Sequence, residues 1–251
     1  MVLLMTGYGI IPLDEVLEIT SEIAVSVKET DKYRLYTRLC REECEDKNIV
    51  LDKTITPLLE PVEPIYNPEP GIVNCLYIKL VNPVMVSPGK EIHLFLKLPV
   101  DIAVVNISDK NVRLIDMIPD NNARIALYGD PREGVLCRYT ETTLVAEKDS
   151  LNISPGYAIA RIIIVNHHKT PVTVSKIIVP LRSIHIYYKP GSWEAFYPDI
   201  KMSITGESTA VVSLSDEAPY PGLTVSRYRH LGLVSAGIML EAGKYRMTWG
   251  F

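Results

Sequence analysis

The chain has 251 residues, 47% hydrophobic and 22% charged, a globular composition that excludes the disordered and fibrous classes. Lys and Arg number 26 against 30 Asp and Glu, a formal net charge of −4, which argues against a dedicated nucleic-acid coat protein but leaves room for a local basic patch. Glutamine is absent, and with 18 prolines and abundant Glu, Lys, Ile and Val this points to a thermophilic source.

The start, Met1 to Pro12, lacks a basic segment and a small-residue cleavage site, so it does not read as a signal peptide. No stretch reaches the roughly 20 consecutive apolar residues of a membrane helix. A cytoplasmic location is expected. From residue 17 to 27 the odd positions read Leu17, Ile19, Ser21, Ile23, Val25 and Val27 against polar even positions. That period of two predicts an amphipathic strand or a hairpin pair. Tyr33, Leu35, Thr37 and Leu39 alternate with Arg34, Tyr36 and Arg38 in the next strand. Residues 57–70 hold five prolines, which predicts an edge strand, a linker or, preferably, a crossover within one domain.

Further strands are predicted at Ile72–Val81, Glu91–Leu98, Ile102–Ile107, Val112–Ile118, Ala123–Tyr128 and Val135–Val145, separated by turn-rich clusters. The polar stretch from Glu147 to Gly156 marks a domain boundary, giving domains 1–147 and 148–251. Strands Tyr157–Val165 and Val172–Val179 then flank a polar turn, followed by strands at Ile184–Tyr188, Ile200–Thr205, Thr209–Leu214 and Lys244–Phe251. One helix is predicted around Leu231–Met239, weakened by Gly232 and Gly237. The fold class is therefore all-β, a β-sandwich or open barrel followed by a smaller immunoglobulin-like β-sandwich.

Three segments carry a resemblance. They are Pro61-Val62-Glu63-Pro64, Pro99-Val100-Asp101, and Ala126-Leu127-Tyr128-Gly129 running through Gly134 to Cys137-Arg138-Tyr139. Over roughly residues 55–145 the chain resembles an uncharacterised archaeal family, a domain of unknown function. The resemblance implies an archaeal source and carries across neither an activity nor a functional residue.

The motifs of phosphate-binding loops, dinucleotide-binding folds, serine hydrolases and zinc proteases do not occur. Cys40 and Cys44 would lie about 13 Å apart on an extended strand at ~3.3 Å per residue, too far to share a metal ion, and could chelate only on a helical turn. Cys75 and Cys137 sit in apolar strands and read as buried thiols, with a disulfide as the alternative in a thermophile. His167 and His168 read as solvated turn residues, while His93 and His185 read as structural. Cys40, Cys44, His167 and His168 are thus the weak metal candidates of a chain that implies no cofactor.

Lys32, Arg34, Tyr36 and Arg38 form a basic-aromatic strip on one strand face, a candidate contact for RNA or another single strand, weighed against an ordinary solvated sheet face. Asp101, Asp116 and Asp199 lie at strand ends or in apolar runs; Asp116 is expected to share a face with Val112, Leu114 and Ile118 and so to need a partner. In the last strand Tyr245, Met247, Trp249 and Phe251 share a face that reads as core. The leading reading is a non-enzymatic binding or assembly module with a protein partner or a homodimer. The alternatives are a nucleic-acid-binding protein using the Lys32–Arg38 face, and a hydrolase or metal-dependent enzyme built from residues such as His167 and Asp116.

Overall fold

The structure, a computed structural model, describes residues 7–41, 45–66, 73–108, 111–118, 120, 123–181, 184–228 and 244–251. The helix expected at Leu231–Met239 lies outside them. The described chain is all-β, in several largely antiparallel sheets, none closed into a barrel.

The first sheet runs β1 (Gly9–Ile10), β6 (Pro57–Val62), β9 (Asp101–Ser108), β10 (Asn111–Ile118) in that order. The second is a meander of β2 (Val16–Glu18), β3 (Ile23–Glu29), β4 (Arg34–Cys40) and β5 (Lys47–Leu51). The alternating run at 17–27 is thus a hairpin. Its turn is set by the Thr20 hydroxyl, which accepts from the amides of Glu22 and Ile23. The proline-rich segment supplies β6, an inner strand and not the edge, linker or crossover expected. Its neighbour β1 pairs only with Leu58 and Leu59, so Pro57 and Pro61 sit where no β1 partner needs a donor.

The third sheet runs β11 (Arg124–Tyr128), β12 (Val135–Thr142), β7 (Cys75–Val86), β14 (Val172–Pro180), with β12 parallel to β7. The fourth runs β19 (Thr224–Val225), β15 (Tyr187–Tyr188), β16 (Ala195–Phe196), β13 (Tyr157–Asn166), β17 (Ile200–Ile204), β18 (Ala210–Leu214), β20 (Lys244–Met247), and β8 (Glu91–Pro99) joins it along β13. Their facing sides form a core that includes Leu76 and Ile78 of β7, Leu96 and Leu98 of β8, Ile162 and Ile164 of β13, and Met202 of β17, all at 0% exposure.

The boundary expected at 147/148 does not separate these sheets. β7 pairs with β14, and β8 pairs with β13 from Tyr157↔Pro99 to Val165↔Glu91, both ladders crossing residue 147. The Cys75–Pro99 segment and β11–β12 thus belong with the C-terminal strands. The outer side of β13 is covered by its own chain, where Ile159 packs with Phe196, Leu151, Ile153 and Tyr220. The final strand is structural. Tyr245, Met247 and Phe251 are buried, whereas Trp249 stays 39% exposed and lies against Gly129.

Candidate functional site

The basic strip on β4 is turned largely inward. Lys32 is exposed, and Arg34 is half-buried against Glu29 at 2.8 Å. Tyr36 is at 0% exposure and Arg38 at 8%. Both bind Asp116, itself 1% exposed: the Tyr36 hydroxyl donates at 3.0 Å, Arg38 Nη1 at 3.0 Å, and Lys47 Nζ closes the group at 2.7 Å. Asp116 does not share a face with Leu114, which is 41% exposed. A register shift between Leu114 and Asp116 in the β9–β10 ladder reverses the alternation and aims the carboxylate at the second sheet. The partner that a buried carboxylate demands is therefore Arg38, and the group pins the first sheet to the second. It includes no histidine; His167 lies in the β13–β14 turn, its amide bonded to Ile204 O.

A second ionic group lies at the junction of the four sheets. Arg138 of β12 is 1% exposed and Asp101 of β9 is 3% exposed. Arg138 Nη1 stands 3.6 Å from Asp101 Oδ1, beyond hydrogen-bond reach, while its Nη2 hydrogen-bonds Asp120. Glu63, 6% exposed, adds its field to Asp101, and the Tyr66 amide donates to Asp101 Oδ2 at 2.8 Å. Burial pushes the Asp101 acid up to about 7 against the pull of Arg138. Several carboxyl groups around one guanidinium resist ionising together away from water, and Asp101, the most deeply buried of them, is the one pushed up.

Two clefts flank this pair, of about 240 and 210 Å³, sharing Asp120 and Tyr157 in their walls. The first reaches Asp101 between the β2–β3 turn and Pro155–Tyr157; the second reaches Arg138 beside Arg124 and Glu141. Asp101 Oδ1 and Arg138 Nη1 themselves carry almost no accessible surface. The arrangement is a latch between β9 and β12. All three segments that carried the family resemblance contribute here, through Glu63, Asp101 and Arg138. The sequence had marked Asp101 as a strand-end carboxylate, but nothing local marked Arg138 as its neighbour.

The remaining candidates separate. Cys75 and Cys137 form a disulfide across register-paired positions of β7 and β12, so the thiol reading is replaced by its alternative. Cys40 is also disulfide-bonded, which removes it as a thiolate ligand, and Cys44 lies outside the described residues. The His167–His168 turn is built on Asn166, whose side chain donates to Val86 O and Thr170 O and accepts from the His168 amide. His168 Nδ1 lies 2.9 Å from Thr170 Oγ1. Among the described residues no group of three or more His, Cys, Asp or Glu side chains is placed to hold a metal ion. Asp199 is paired with Arg161 through Nε at 2.9 Å.

β11 is an edge strand of the third sheet. It pairs only with β12 among the described strands, leaving one main-chain edge free. On the face it shares with Arg138, Leu127 stands opposite Leu136, and Ile125 lies beside them. The same face is sealed at Arg138 and Leu76, yet Ile125, Leu127 and Leu136 are 40%, 41% and 45% exposed. The strand carries Arg124 at its start but no Lys, Glu or Pro, residues that commonly blunt an exposed edge.

Comparison with curated proteins and with solved structures finds no match to this chain. A family match exists and extends well beyond the span from 55 to 145 read from the motifs. The family described as "Protein of unknown function (DUF432)" matches residues 7–239, and the chain belongs to it.

Proposed function

We propose that the protein is a non-enzymatic assembly module that associates with a second copy of itself through β11. The observation that carries this reading is the free edge of Arg124–Tyr128 beside exposed Ile125, Leu127 and Leu136. Antiparallel pairing of two such strands about Ala126 sets Ile125 of each copy opposite Leu127 of the other. Arg124 then faces Tyr128 of the partner copy, so no like charges oppose. The contact is isologous and closed, and it joins two third sheets into one. Full burial of each aliphatic side chain contributes about 1.5–3 kcal/mol, reduced here because each starts partly covered.

The setting that fits the chain is the cytoplasm of a thermophilic archaeon. Absent glutamine supports it, and intracellular disulfides are common in such organisms. The experiment is light scattering at micromolar concentration on the full chain and on Leu127→Glu. A wild-type mass of twice 28.1 kDa that falls to 28.1 kDa in the variant supports the reading. A wild-type mass of 28.1 kDa at all concentrations overturns it.

A further inference from the structure

The outward face of the third sheet carries a ledge of aromatic rings. Tyr77 and Tyr139 are neighbours in the β7–β12 register, with ring centroids 5.7 Å apart. Tyr128 lies 6.2 Å from Tyr77, and Trp249 lies 5.6 Å from Tyr128. The indole is seated on the backbone at Gly129: a Cβ there would come within 2.7 Å of Trp249 Cε3, and φ is +106°. The tail is also tied down by Tyr128, whose hydroxyl donates to Gly250 O and accepts from the Trp249 amide. Trp249 is thus a large ring held in one place and left 39% exposed.

A groove of about 550 Å³ runs along this ledge, walled by Tyr77, Tyr128, Asp130, Pro131, Lys176 and Trp249, with Asp130 Oδ1 taken up by the Arg132 amide at 2.8 Å. Lys176 is half-buried, its Nζ 5.5 Å from the Tyr128 ring centroid, and it forms no ion pair with any described residue. Its neighbour Lys79 differs, being neutralised by Glu141 at 2.9 Å. Arg124, exposed, stands opposite Tyr139 at the rim. A fixed exposed ring plus an unneutralised ammonium is a pairing that calls for a flat ring joined to an anion.

We propose that this groove binds single-stranded nucleic acid. One base stacks on the ledge at Trp249 and Tyr77, and Lys176 takes an adjacent phosphate. Stacking on aromatic side chains tolerates any base, and the cation supplies a salt-dependent hold on the backbone. A neutral sugar would use the rings but leave the Lys176 charge unmatched. The site is distinct from the β4 strip, whose Tyr36 and Arg38 face the interior.

The test uses the full chain and a labelled oligothymidylate at low salt, read by fluorescence anisotropy and by quenching of tryptophan emission. Lys176→Met, which keeps the aliphatic stem, and Trp249→Leu should each weaken binding by about tenfold. Affinity should fall as salt rises. Adenosine monophosphate that displaces the oligonucleotide and loses its grip in Lys176→Met assigns the same chemistry to a free nucleotide; failure to displace assigns it to a strand. Absence of oligonucleotide binding overturns the proposal. So does binding that both variants leave unchanged, or cellohexaose binding as tightly to Lys176→Met as to the native chain.

Discussion

Arg138 and Asp101 face each other across 3.6 Å in the sheet junction, both almost fully buried, yet Arg138 gives its hydrogen bond to Asp120. The pair joins β9, which continues the N-terminal sheets, to β12, which belongs with the C-terminal ones. Its charge state bears on how firmly the two halves are held.

Asp101 makes stability depend on pH. Its folded-state pKa is raised from 3.8 to about 7 by burial, so the proton is bound more tightly in the folded chain. The stabilisation is full below 3.8 and is lost as pH climbs through about 7. The melting temperature of the native chain should therefore fall relative to that of Asp101→Asn over this interval. A difference that stays constant with pH would contradict the assignment. Arg138→Met should cost about 3 kcal/mol or more, because it leaves buried carboxyl groups without their cation.

Asp116 separates two kinds of ion pair. Asp116→Asn strands the Arg38 guanidinium, whose side chain is 10% exposed, and should cost about 3 kcal/mol in chemical denaturation. Lys47 touches the same carboxylate at 2.7 Å, but its side chain is 45% exposed. Lys47→Met should cost about 1 kcal/mol or less. Equal losses would show that the group is not organised around Arg38.

Deletion of residues 244–251 should give insoluble or unfolded protein. It removes β20 from the edge of β18 and takes away Met247 at 0%, Tyr245 at 8% and Phe251 at 9% exposure, each contributing about 1.5–3 kcal/mol. A soluble truncation with an unchanged melting temperature would refute the structural role of the tail.

Reduction should destabilise the fold. The Cys75–Cys137 bond closes a loop with a sequence separation of 62, which corresponds to about 2–4 kcal/mol. Cys75→Ser with Cys137→Ser should lower the melting temperature by a similar increment without changing the far-ultraviolet spectrum. No change on reduction would mean that the bond is not formed in solution.

Local periodicity made the strands legible, while long-range pairing decided what they face. On β4 the alternation correctly groups Arg34, Tyr36 and Arg38, but the buried side proved to be the polar one. Leu39, on the apolar side, is 44% exposed. The reason is Asp116, which lies 78 residues from Arg38 and reaches it only because a bulge shifts β10. No window of sequence contains both. At 147/148 the turn-rich stretch was legible, but the bonding of β8 and β7 to strands beyond it was not. Turn chemistry was fully local, as at Thr20 and Asn166, and so was readable. The exposure of β11 was not, since Ile125 and Leu127 sit in an apolar run that reads as core, yet stand 40% and 41% exposed.

Assembly through β11 is tested most directly by hydrogen exchange of the 124–128 amides as a function of protein concentration. Self-pairing predicts that the outward amides of this strand exchange slowly at micromolar concentration and rapidly on dilution, with Leu127→Glu fast throughout. Exchange in 124–128 that is equally rapid at every concentration would contradict the account, even if the chain dimerised through another surface.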